Sequence, residues 1–219
     1  MSKKIIILGG VGNGSAIANA IIDANQRGDR EWDFAGYLND RVAGGGKIED
    51  QPVLGKLADW PKFAGQGCFF INTIYRIDGQ QHRIDLFEIL KIPDDQLAIF
   101  IHPLAYVAPN ARLGPGLAVM PQAVVSSAAA LARGCLVMAG ATILHNAEIG
   151  KYCHFAARCC VGSGMKIGDG VHVGLNASAR ENLAIGRNST LGMGAVLTRD
   201  MGENEIWAGN PARFLRKAL

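Results

Sequence analysis

From Ile101 to Leu197 an aliphatic residue returns at every sixth position. Of seventeen consecutive slots, only Phe155 and Ala179 are not Ile, Leu or Val. Four positions after most slots stands a small or apolar residue, as at Ala105, Ala123, Cys135, Ala147, Cys153, Cys159 and Ala195. A period of six matches neither the helical repeat nor the two-residue alternation of an isolated strand. It matches a coil with three flat faces, one hexapeptide to a face, stacked into a parallel β-helix. Three hexapeptides of this sequence, 18 residues, make one coil, so residues 18 apart stack. About five coils, each roughly 4.8 Å high, fit between residues 101 and 197. A β-sandwich of short apolar strands would not hold one register for so long.

The inward aliphatic residue fills each coil, and the small residue lets the chain turn without overfilling the interior. Glycine follows the slot at Gly114, Gly150, Gly162, Gly168, Gly174, Gly186 and Gly192. Those glycines are read as the corners, where backbone freedom is needed.

The chain's 219 residues accommodate one ordinary domain and a smaller second one. No apolar run approaches the ~18 residues of a membrane span, and no secretory leader is read after Met1, so membrane insertion is not expected and a cytoplasmic location is. A formal charge of +3 is too small to argue for nucleic acid. Five cysteines without metal-ligand spacing do not read as a disulfide framework. Cys135, Cys153 and Cys159 occupy the small inward slot and are read as core filler, and no metal is expected.

The first hundred residues follow another pattern. Ile5–Leu8 reads as a buried strand, Gly9 to Gly14 as a glycine turn, and Ala16 to Ile21 as part of a helix: the opening of a parallel α/β unit. Further strands are expected at 34–38, 68–71 and 98–101, and helices near 54–63 and 80–90. The turn lacks the spacing of a dinucleotide fingerprint. It suits either a ligand's phosphate or sugar approaching backbone at a helix start, or a tight turn and nothing more. Residues 43–47 read as a mobile surface loop.

Five histidines are candidates for chemistry. His82 reads as solvent-facing and His102 as part of the join between the two patterns. His154 and His172 are 18 apart and should stack on adjacent coils, with His145 half a coil from His154. All three are read as displayed outside the aliphatic slots, on a rigid scaffold.

A small α/β start, the turn at Gly9–Gly14, and hexapeptides carrying Ile143-Leu144-His145 and Cys153-His154 resemble the NeuD/PglD-type sugar acyltransferases. The ending Trp207-Ala208-Gly209-Asn210-Pro211-Ala212-Arg213 is similar to the closing segment of hexapeptide acyltransferases. The resemblance covers essentially the whole chain. It implies an α/β, Rossmann-like domain over residues 1–100 that binds a sugar nucleotide. An all-β left-handed parallel β-helix over 101–199 would carry acyl transfer, and a tail over 200–219 would pack on its end. It further implies a homotrimer with acetyl-CoA, or another acyl-CoA, in the groove between subunits, acylating the amino group of a nucleotide-linked amino sugar for surface glycan synthesis. His145 then matches the general base, a task that suits imidazole, with Asn146 beside it. His154 matches the thioester end, and Leu175 and Met193 the pantetheine groove. Val11, Gly12 and Asn13 match the turn on the sugar nucleotide, and Asn39 with Asp40 the strand end on its base or ribose. Arg213, Arg216 and Lys217 either meet CoA phosphates or form an ordinary solvated tail.

The sequence departs from the family pattern in three places. Asn146 stands where Glu or Asp usually follows the base, Asn13 stands where the turn usually has His, and the stretch from Asn72 to Gln81 is altered. The last two suggest an unusual acceptor. Two other readings stay open: O-acetylation of a sialic-acid-like sugar, and a non-catalytic trimeric binding or scaffold protein.

Overall fold

The computed structural model describes residues 2–78 and 80–219. The repeat winds as three stacked parallel sheets of two-residue strands. One passes through Tyr106–Val107, Val124–Val125, Thr142–Ile143 and Cys160–Val161; a second through Arg112–Leu113, Ala130–Leu131 and Glu148–Ile149. The third passes through Ala118–Val119, Leu136–Val137, His154–Phe155, His172–Val173 and Thr190–Leu191. Partners among these strands are 18 residues apart, as in Val124 with Thr142. These stacked sheets fit a left-handed β-helix.

Slot residues and the small residues two before them form one continuous core, from Leu117 through Val161 to Trp207. Cys135 and Cys153 are buried there, their thiols donating to the carbonyls of Gly150 and Gly168 at 3.2 and 3.1 Å. They are core residues, as their slot predicted.

The corners lie elsewhere than expected. Every sixth residue from Gly116 to Gly194 has a positive φ, Asn146, Asn176, Asn182 and Asn188 among them. That series falls three positions after each slot, where Gly and Asn tolerate the left-handed region best. The glycines immediately after the slots serve a different need. A Cβ on Gly168 would stand 2.7 Å from the Arg187 backbone nitrogen, and one on Gly162 would stand 2.5 Å from that of Glu181. They are glycine because the next coil passes too close, not because the backbone needs a positive φ.

The first hundred residues build a five-stranded sheet. It contains β1 (Lys3–Leu8), β2 (Trp32–Leu38), β3 (Lys47–Ile48), β4 (Gln51–Gly55) and β5 (Phe69–Asn72), in the order β3-β4-β2-β1-β5. β1 lies inside the sheet, parallel to both neighbours, and Ile5 to Leu8 are fully buried, as a continuous apolar run in a parallel strand requires. α1 (Asn13–Gln26) packs Ile17, Ile21 and Ala24 on the sheet, followed by a short α2 (Trp60–Ala64) and α3 (Gln80–Glu88). A regular Rossmann-like alternation is not evident. β2 reaches β4 through a glycine turn, with Gly45 donating to Val53, and not through a helix. Among the described residues strand exceeds helix.

Two assignments change here. Phe100–Ile101 pairs with Ala118–Val119 and so belongs to the β-helix, not to the N-terminal sheet. β4 falls partly where a helix was expected; Pro52, without an N–H, hid a strand whose outer partner is only two residues long. The sheet and the β-helix share apolar cores: Ala118, Met120 and Leu136 pack with Ile5, Ile7 and Phe100, while Tyr152 packs with Ile6, Phe70 and Phe87. Glu205–Ala208 extends the third sheet beside Thr190–Leu191, and Arg213–Lys217 returns antiparallel to it. Among the described residues no helix is long and apolar enough to cross a membrane.

Candidate functional site

His145 sits two positions after its slot, where the side chain leaves the coil, and is exposed. The next residue must turn the corner: Asn146 has φ 60° and its N–H donates to the Ser127 carbonyl at 3.1 Å. That conformation places the Asn146 amide oxygen 3.0 Å from His145 Nδ1. An amide oxygen only accepts, so Nδ1 carries a proton, and in the neutral ring Nε2 keeps its lone pair. The pair lies in an open groove of about 540 Å³ with Gly162, Ser163, Gly164, Glu181 and Asn182.

Leu175 and Met193 are both exposed and one coil apart, on the corner that follows the third sheet. His145 is on the corner that follows the first. The chain therefore stacks the apolar pair as expected but does not bring it beside its own His145.

His154 opens a strand of the third sheet, directly under the N-terminal turn. Its Nε2 accepts from Asn13 Nδ2 at 3.1 Å, although 141 residues separate them. Its Nδ1 lies 3.2 Å from Nδ1 of His172, and the Tyr75 ring stacks on it with centroids 4.3 Å apart. Both histidines are buried, which corrects the expectation that they are displayed: the 18-residue spacing stacks them, but the segment after β5 covers them. Burial, and then the neighbouring His172, pushes the His154 pKa down to about 3; burial pushes His172 down to about 4. Burial also raises the Tyr75 phenol well above its usual range, and its hydroxyl is buried without a hydrogen-bond partner among the described residues.

The covering segment is strapped down from outside. Thr190 Oγ1 donates to the Ile77 carbonyl at 2.8 Å, Arg216 pairs with Asp78 at 2.6 Å, and the Leu219 N–H donates to Asp78 at 2.8 Å. Lys217 pairs with Glu205 at 3.1 Å, so two of the three basic residues considered for CoA phosphates form internal ion pairs.

In the turn, Val11 is exposed and Gly12, with φ 93°, starts α1 through reciprocal hydrogen bonds with Ser15. Asn39 bonds to the turn and not outward: its Nδ2 donates to the Gly9 carbonyl at 2.9 Å, and its Oδ1 accepts from Arg41 and Val42. Asp40 accepts from the Leu57 N–H at 2.9 Å. His102, buried at the join, meets Asp23 at 2.9 Å and accepts from the Leu104 N–H, so its structural reading stands; His82 is exposed. Among the described residues no group of three or more His, Cys, Asp and Glu is placed to hold a metal.

Tyr75 is the site residue that sequence reasoning missed. Its only signal was its place in the altered stretch after β5.

No family model matches the chain, and no curated protein matches it in sequence. Solved structures do. The acetyltransferase domain of PglB from Neisseria gonorrhoeae is 26% identical, with a TM-score of 0.85 over 98% of this chain and 100% of that one. The same domain in complex with acetyl coenzyme A aligns at 25% identity, TM-score 0.83, over 98% and 100%. A His→Ala variant of GDP-perosamine N-acetyltransferase from Caulobacter crescentus, in complex with CoA and GDP-perosamine, aligns at 22% identity with a TM-score of 0.82 over 98% and 97%. The structural neighbours of this chain thus include an acetyltransferase domain at 25–26% identity and, in fold alone, a GDP-perosamine N-acetyltransferase.

Proposed function

We propose that the chain is an acetyl-CoA-dependent N-acetyltransferase acting on the amino group of a nucleotide-linked sugar, in surface glycan synthesis. The observation that carries this is the His145–Asn146 pair: an exposed imidazole with its basic nitrogen held outward in an open groove, on the fold of acetyltransferases. The acceptor nitrogen adds to the acetyl carbonyl carbon as its proton passes to His145 Nε2. The C–S bond then breaks, and the proton returns to the departing CoA sulfur. Asn146 holds the tautomer without adding charge.

Residues 1–100 would form the acceptor-binding domain, with Val11, Gly12 and Asn13 at the ligand and Asn39 and Asp40 shaping the loop behind them. Residues 101–199 would form the transfer domain. Leu175 and Met193 offer an apolar corner to pantetheine, with His154 beside it. Because that corner and His145 are apart within one chain, a second copy supplies the missing corner, which favours a homotrimer with its active sites between subunits.

The test is release of CoA thiol from acetyl-CoA against a panel of nucleotide-linked amino sugars. Release should depend on one sugar and fall about 10²–10⁴-fold in His145→Ala. Release unchanged by that substitution would remove His145 from the chemistry. The non-catalytic scaffold reading draws on one observation, the burial of His154 under Tyr75. It predicts ligand binding without thiol release.

A further inference from the structure

His172 has no part in the mechanism above, yet it is buried nitrogen to nitrogen against His154. Among the described residues neither ring bonds to a carboxylate; their polar and ring contacts are Asn13, Tyr75 and each other. Buried imidazoles without a counter-charge stay neutral, and the depressed pKa values agree.

Two neutral rings meeting through their Nδ1 atoms share one proton, so they hold opposite tautomers. The Asn13 contact shows which is which. Asn13 Nδ2 donates to His154 Nε2, so that nitrogen carries the lone pair. The His154 proton then sits on Nδ1 and is donated to His172 Nδ1, and His172 carries its own proton on Nε2. The Tyr75 ring covers the His154 face and leaves the ring edge for bonding.

We propose that His172 is a positioning residue that fixes His154 as a hydrogen-bond acceptor at Nε2, so that the ligand group received there is an N–H donor. Asn13 occupies the position of that donor. The ligand part rests on the acyltransferase reading, where two N–H sources meet: the acceptor amine and the amide of the pantetheine arm. A His154 polarised this way does not donate to the thioester oxygen; its contribution is to orient nitrogen.

The tautomers are read from long-range ¹H–¹⁵N correlations of the full-length ¹⁵N-labelled protein. His154 should show a protonated Nδ1 and a bare Nε2, and His172 the reverse. His172→Asn keeps an acceptor for the Nδ1 proton and should preserve the His154 pattern, whereas His172→Leu should lose it. A proton on His154 Nε2 in the unsubstituted protein, or an unchanged pattern in His172→Leu, would overturn the proposal.

Acetyl-CoA and a UDP-linked 4-amino sugar are then added separately. The probe that shifts the Nε2 resonance while Nδ1 stays protonated identifies the N–H source. An Nε2 that gains a proton, or that neither probe moves, overturns the assignment of an N–H donor. Failure of the acyltransferase reading itself shows separately, as absence of thiol release.

Discussion

Each coil of the β-helix solves its burial problem as its neighbours do, whereas each position in the first hundred residues is used once. Val161 repeats the task of Ile143 one coil earlier. Gly9 has no counterpart: a Cβ there would lie 2.3 Å from Thr73 Oγ1, a contact made by chain 64 residues away. In the β-helix the backbone is dictated by stacking, and chemistry is carried by positions the repeat leaves free, such as His145. In the N-terminal sheet fold and site are inseparable, since Asn39 closes the very turn expected to hold ligand. The two regions meet at His154, where a repeat position is read by a non-repeating one.

The largest effect expected from testing this contrast is core deletion. Phe155→Ala in the β-helix and Phe70→Ala in β5 remove equally buried rings, each at about 3–5 kcal/mol. Because the two regions share apolar cores, urea should unfold both variants in one transition. Two separate steps, with Phe70→Ala shifting only the first, would show that the regions are independent.

Acid comes next. Unfolded, both imidazoles gain a proton near 6.5; folded, His154 and His172 resist protonation down to about 3 and 4. Between those values the unfolded chain binds more protons, so stability is full above about pH 6.5 and is lost as pH falls towards 4 and then 3. The loss is on the order of a few kcal/mol. Urea midpoints across that window should fall for the natural protein and flatten in a His154→Asn/His172→Asn double variant.

Two glycines give a smaller contrast. Gly168→Val must force neighbouring coils apart and should cost about 1–3 kcal/mol or more. Gly194→Ala meets nothing within 4 Å and has only its φ of 65° to oppose it, a cost of about 1 kcal/mol. Equal thermal shifts would erase the distinction between the two kinds of glycine. Least disruptive to the fold is Asn146→Gly, which keeps the corner and removes the His145 partner. Thermal stability should stay within about 0.5–1 kcal/mol of the original while sugar-dependent thiol release falls.

These differences explain what could be read without a structure. The slots from Ile101 to Leu197 and the inward cysteines were legible because repetition averages out the accidents of any one position. Repetition also misled. The glycines after the slots were conspicuous, but their reason is contact with another coil, which no single-residue propensity reports. Asn146 stood out as a departure from the family pattern before it could be recognised as one corner among many. Tyr75 over His154, and Asn13 across 141 residues, follow from how the sheet lies on the β-helix, and no local pattern encodes that.

The strap over the two histidines is fastened by Thr190, Arg216 and Leu219, all of which follow the coils that carry those histidines. A ribosome makes the N-terminal sheet first, then the coils one at a time, and only afterwards the strand that holds residue 78. The covering segment is therefore translated early and secured late. Until the final strand emerges, His154 lacks its finished surroundings, and a chain cut short within the last coils would leave the segment unfastened above an otherwise wound helix.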